Sequence, residues 1–252
     1  MGIVATDMRR AFVSTRFIIS ILLVACVRLF SGGNIRIMED VVQTYVYGND
    51  LDELVIILCG IPFINGFIED WNGRSFLPFV SRCGICKYAM SKFFVAIISA
   101  VVCSFLGNAL YVAVMMYNGP LMIQGGSNHD VLSFYFMGGT LVKDQPLLFL
   151  LGRWLSFAFV QTIVMAAAVF FSSYSLKPLM ALISPMVIYF LMSFLVWMAG
   201  APYYLLPANQ IKGNMRNNDL LDLGLYVCEC GIVLTVLARA YINRLKELMR
   251  RA

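Results

Sequence analysis

Six apolar runs, each closed by charged or turn-forming residues, constrain this chain more than any motif in it. A hydrocarbon layer about 30 Å thick takes roughly 20 helical residues to cross, and every backbone polar group within it must be satisfied inside the segment. Runs of this kind therefore fold as helices. They fall at about 17–30, 51–68, 93–116, 147–171, 179–197 and 220–238, the first lengthened by Ala11 to Arg16. With 60% hydrophobic residues, 13% charged residues and a mean hydropathy of +0.80, the composition leaves no separate soluble domain. The expectation is a single all-α, polytopic membrane domain over residues 1–252, with six transmembrane helices.

Orientation follows from the basic residues. The segment Glu69 to Lys92 lies between the second and third runs and carries Arg74, Arg82, Lys87 and Lys92, which by the positive-inside rule places it in the cytoplasm. Thirteen Lys and Arg then lie inside and four (Arg36, Lys143, Lys212, Arg216) outside, with Arg28 and Arg153 within spans and both termini cytoplasmic. Residues 1–16 place Val4, Met8, Ala11 and Phe12 at helical spacing, as expected of a helix lying along the inner membrane surface. The loop itself holds Phe76, Leu77, Phe79 and Val80 after Asn72 and Gly73, which predicts a short amphipathic helix limited by Pro78. Its apolar face needs a groove on a partner or the lipid headgroup layer. The net charge of +5 is spread over the ends of spans and forms no continuous basic patch, which argues against nucleic acid.

Cysteine and histidine chemistry is thin. Seven cysteines, an odd number and mostly within apolar runs, give no disulfide framework, and Cys83-x-x-Cys86 lacks the second pair or histidine of a zinc site. Leu23-Val24-Ala25-Cys26 imitates a bacterial lipoprotein signal, but the segment is expected to be an uncleaved span. His129, the one histidine, is expected in an outer loop and cannot build a two-histidine metal site.

Two features within the spans invite function. Gly60, Pro62, Asn65 and Gly66 interrupt the second span, as either close helix packing or a hinge beside a pathway. Arg153 in the fourth span and Glu229 in the sixth lie at similar depth, with Asp222 on the face of Glu229, so Arg153 is expected to bridge to one of them. Such a pair serves either as a helix-to-helix tie or in substrate handling. Arg28, near the outer end of the first span, is expected to snorkel to the surface. No phosphate loop, zinc motif or serine triad is present, so no catalytic residue is assigned.

A second span ending in Glu69-Asp70, a short helix, Ser81-Arg82, then Lys87-Tyr88 and Ser91-Lys92 entering the third span, together with the opening DMRRAFVSTRF, resembles the permease subunits of type-2 ATP-binding-cassette exporters. The acidic cluster is two residues long where many members have more. The resemblance implies an interfacial N-terminal helix and a coupling helix at about Asn72 to Arg82. It also implies a separate cytoplasmic ATPase that binds ATP and Mg, a second permease copy or paralogue, and a bacterial plasma membrane. Glu69, Asp70, Arg74, Phe76, Leu77, Phe79 and Arg82 would couple to the ATPase, and the second and fifth spans would line the pathway for a peptide, lipid or drug. A secondary transporter or channel, or a membrane-embedded sensor or scaffold, are the rival readings.

Overall fold

The computed structural model describes residues 2–31, 40–47, 51–123, 136–200 and 219–251, with the isolated positions Leu132 and Pro207. Arg36, Glu39, Asp50, Gly125, Gly126, His129, Lys212 and Arg216 lie outside the described residues. Among the described residues the helices are, in order, α1 (Ile3–Phe12), α2 (Thr15–Ser31), α3 (Val41–Tyr47), α4 (Asp52–Gly60), α5 (Gly66–Asn72), α6 (Phe76–Cys83), α7 (Ile85–Asn118), α8 (Gly139–Val142), α9 (Pro146–Ser175), α10 (Pro178–Met198) and α11 (Asp219–Arg251). No strand occurs among the described residues.

Four of these helices, α7, α9, α10 and α11, are long and apolar enough to cross a membrane. The pair α1 and α2, bent by 49°, makes a fifth if taken as one span. The expected second span is not one helix: α4 ends at Gly60, residues 61–65 form turns, and α5 restarts at Gly66. Pro62 lacks the N–H that would continue the ladder and crowds the preceding turn, which accounts for the break. The α2 helix is 17 residues long, begun by Ser14, whose Oγ accepts from the Phe17 N–H at 3.2 Å.

Helix α7 is the axis. It packs against α1, α2, α4, α6, α9 and α11, while α9 also meets α10 and α11. It approaches α2 closely: a methyl group added at Gly107 would stand 2.7 Å from Val24 Cβ, so only hydrogen fits there. The helix begins at Ile85, eight residues before the expected start, because Gly84 with φ +80 both closes α6 and opens α7. Lys87, Tyr88, Ser91 and Lys92, expected in a loop, thus lie on the first turns of α7. At the other junction Leu176 takes φ +39 to end α9, and Pro178 opens α10 from its first turn.

Two further expectations change. The segment after α2, expected as a polar outer loop, contains the short helix α3, whose residues Val41, Val42, Tyr45 and Val46 are buried against Tyr111, Val112 and Met115 of α7. Asp40 begins α3 by accepting from Gln43 N–H at 2.8 Å and holds Ile123 N–H at 3.1 Å, so this helix is laced to the end of α7. The C-terminal segment is no loose tail, because α11 runs unbroken to Arg251 and buries Tyr241, Leu245 and Leu248. Tyr241 meets Phe67 and Phe93 edge-on or tilted at 6.3 and 6.2 Å between ring centroids, which joins α5, α7 and α11 into one aromatic base.

Candidate functional site

The start of α7 gathers charged residues from α1 and α5 into a buried knot. Lys92 Nζ lies 2.8 Å from Asp7 Oδ1 and 2.6 Å from Asp70 Oδ2, with all three side chains at 2–3% exposure. Arg10 Nη1 reaches Asp70 Oδ1 at 2.9 Å and Asp7 Oδ1 at 3.7 Å, its other nitrogen approaches Glu69 at 3.4 Å, and Arg16 pairs with Glu69. Tyr88 Oη donates to Asp70 Oδ2 at 3.0 Å, and Ser91 Oγ donates to Asp7 Oδ2 at 2.6 Å. The Lys92 ammonium sits 5.1 Å from the Phe63 ring centroid and 5.4 Å from that of Tyr88. Three carboxylates face three cations, so a cluster that would be prohibitive one charge at a time closes as a neutral unit. Burial pushes the Asp70 carboxyl up, but the Lys92 ammonium and the Arg10 guanidinium outweigh it and hold the group below its ordinary value.

From sequence, Asp7, Arg10, Tyr88 and Lys92 enter only through orientation and resemblance and are not assigned to a site, whereas Glu69 and Asp70 are assigned to coupling. The missed signal lies in α1. Its buried positions are Asp7 and Ala11, four apart on one face, whereas Val4, expected on that face, is half exposed. An acid on the buried stripe of an amphipathic helix demands a buried cation, and Lys92 supplies it.

The next helix, α6, hangs beside the knot. Phe76 and Val80 are buried, with Phe76 against Phe67, Trp71 and Tyr88 at 5.2–5.8 Å, so Phe76 serves the internal core and is not on the docking face assigned to it. Phe79 is half-buried, whereas Leu77, Arg74 and Arg82 are exposed. Pro78 occupies the first turn of α6, where its missing N–H costs nothing, so it starts the helix instead of limiting it. Arg74 sits at φ 55 in the turn from α5 to α6, closed by Ser75 N–H to Asp70 O at 2.9 Å. A notch of about 200 Å³ opens between Trp71, Arg74, Phe76 and Leu77. Cys83 and Cys86 are free thiols, half-buried and exposed respectively.

In the broken second span, Gly60 receives the Met165 side chain of α9: an added methyl would lie 2.8 Å from Met165 Cε. Gly66 is covered by the Phe63 ring in the same way. Both glycines are thus in close contact with a side chain, Pro62 falls in the break, and Asn65 directly precedes α5.

A second charged level lies sixteen residues along α7 from Lys92, or about 24 Å. Arg28, expected to snorkel, is 1% exposed instead: Nε donates to Asn108 Oδ1 at 3.1 Å and Nη1 pairs with Asp52 Oδ1. The rings of Tyr45 and Phe157 flank its guanidinium at 5.7 and 5.5 Å. The buried Tyr45 of α3 roofs the guanidinium, so an inward ion pair replaces escape to water. Arg153 and Asp222 are also buried, and the buried Tyr226 stacks on Phe159 at 5.3 Å between ring centroids.

No protein-family model, no curated protein and no solved structure matches this chain. The fold itself defines an all-helical protein with several apolar helices of membrane-crossing length, banded by buried charge at two levels.

Proposed function

We propose that this chain is the membrane-spanning permease subunit of an ATP-driven exporter, seated in a bacterial plasma membrane with both termini cytoplasmic. ATP and Mg would be bound by a separate ATPase subunit, and a second permease copy or paralogue would complete the pathway. Its passenger is an amphipathic or hydrophobic molecule. The observation that carries this reading is the mounting of α6. Phe76 and Val80 fix the helix to the aromatic base, and the adjoining knot ties α1, α5 and α7, while Leu77, Arg74 and Arg82 stay exposed. A push on α6 reaches α5, and the turns at 61–65 join α5 to α4, so Gly60, Pro62, Asn65 and Gly66 are where the second span would bend.

The test uses Leu77→Asp, since Phe76→Asp would break the core. With a candidate ATPase subunit co-expressed, L77D is expected to reduce co-purification at least about tenfold while its melting temperature stays within a few degrees of the parent. Undiminished capture of the ATPase by L77D, or an ATPase that never co-purifies with the parent chain, would refute the docking assignment.

The Arg28–Asp52 pair favours a second reading, an ion-coupled secondary transporter, because buried ionisable residues in membrane helices mark ion routes. Flux driven by an ion gradient in vesicles without ATP would select it over the exporter.

A further inference from the structure

The elbow between α1 and α2 faces a cavity of about 270 Å³ walled on the other side by the broken second span. Its charged lining is unusual in holding both signs within reach of one another: Arg10 and Arg16 from the elbow, Glu69 from α5. Arg16 is 57% exposed and Glu69 37%, so this pair, unlike the knot behind it, is open to exchange with a ligand. Arg10 is held in place by Asp70 at 2.9 Å and approaches Glu69 at 3.4 Å, and Glu69, which also pairs with Arg16, is the most exposed acid of the group.

Above the cavity the surface is greasy. Ile18, Ile19, Leu22 and Leu23 of α2 are all exposed, and they climb from Arg16 for about 10 Å, while Val13 projects at the elbow. A cavity with two cations and one anion, and an exposed apolar stripe on α2 that starts two residues past Arg16, match an amphiphile whose head carries a phosphate and an amine.

We propose that this elbow seats the headgroup of a zwitterionic aminophospholipid of the phosphoethanolamine type, its phosphate on Arg16 and Arg10 and its ammonium on Glu69. Guanidinium matches phosphate in a bidentate fork, and a primary ammonium can donate to the carboxylate. A choline head carries the charge without an N–H to donate, and a phosphoglycerol head has no cation for Glu69. The acyl chains lie along the exposed stripe of α2. This inference requires only that the elbow lie at a membrane surface. It needs no ATPase, so its failure and that of the exporter reading are separable.

The experiment is native mass spectrometry of the full chain released from detergent, with added lipids of identical acyl chains and phosphoethanolamine, phosphocholine or phosphoglycerol heads. The phosphoethanolamine lipid is expected to be retained about tenfold better than the other two. Arg16→Gln should lower its retention about tenfold, and Arg16→Lys should recover part of that loss because charge remains without the fork. Glu69→Gln should abolish the preference for ethanolamine over choline. Unfolding temperatures of the three variants in lipid-free detergent check that the fold persists. Equal retention of the three lipids by the parent chain, or an ethanolamine preference that survives both R16Q and E69Q, overturns the proposal. Equal protection by inorganic phosphate or soluble phosphoethanolamine would make this a free-phosphate site and overturn the lipid assignment.

Discussion

Replacing Lys92 with methionine keeps most of the side-chain volume and removes the cation that lies within 3 Å of both buried acids of the knot. Contacts of 2.6 and 2.8 Å correspond to a gross attraction of about 6 kcal/mol each at an effective dielectric of about 20. Desolvation of the lysine and the acids offsets most of that, and stranding a buried charge by deleting its partner costs about 3–5 kcal/mol net. Arg10 stays 2.9 Å from Asp70 and 3.7 Å from Asp7, which softens the loss and places the expected value near the lower end, about 3 kcal/mol. For a chain of this size each kcal/mol lowers the melting temperature by roughly 2–4 °C, so K92M should melt about 6–12 °C below the parent. Tryptophan fluorescence of protein in detergent suits the measurement, since Trp71 lies one residue past Asp70. The double variant D7N/K92M, which also removes one stranded acid, should regain at least half of the loss. A K92M melt within about 2 °C of the parent, or a double variant less stable than K92M, would refute the claim that this knot holds α1 to α7.

The same knot sets an acid limit. Asp70 has its carboxyl held below the ordinary 3.8, so it contributes stability that is complete above that pH and is lost as pH falls through the lower folded value. The parent should therefore keep a level melting temperature down to about pH 5 and lose it below about pH 4, with D70N showing a shallower acid limb. At the other charged level, Arg28→Leu should cost about 3–5 kcal/mol by leaving Asp52 buried alone, and R28L/D52L should recover most of it, read as melting temperature. Gly107→Ala should cost about 1–3 kcal/mol by forcing α2 from α7, relieved only in part by Val24→Ala because Val24 Cβ itself lies 2.7 Å from the added methyl.

Helix content, the long apolar segments and the short helix after Glu69-Asp70 were legible because each rests on local pattern: run length, charge at run ends, and turn residues. The bend in the second span was visible as Gly60, Pro62, Asn65 and Gly66, though not its size. What sequence could not give was pairing. Asp7 and Lys92 are 85 positions apart, and Arg28 finds Asn108 across 80, so nothing local distinguishes a charge that snorkels from one that turns inward. Phe76 and Leu77 show the same limit at short range: both are apolar and adjacent, yet Trp71 and Tyr88 draw one inward and leave the other outside. Helix α3 was hidden because seven residues carry too weak a periodic signal, and its burial depends on the distant end of α7.

The unbroken course of α11 bears on how the protein can be handled. Tyr241, Leu245 and Leu248 fill the same base as Phe67 and Phe93, so trimming the chain before Tyr241 would hollow out that base, and an affinity tag or fluorescent reporter belongs beyond Arg251. A probe spliced into the final three turns would perturb the assembly it was meant to observe.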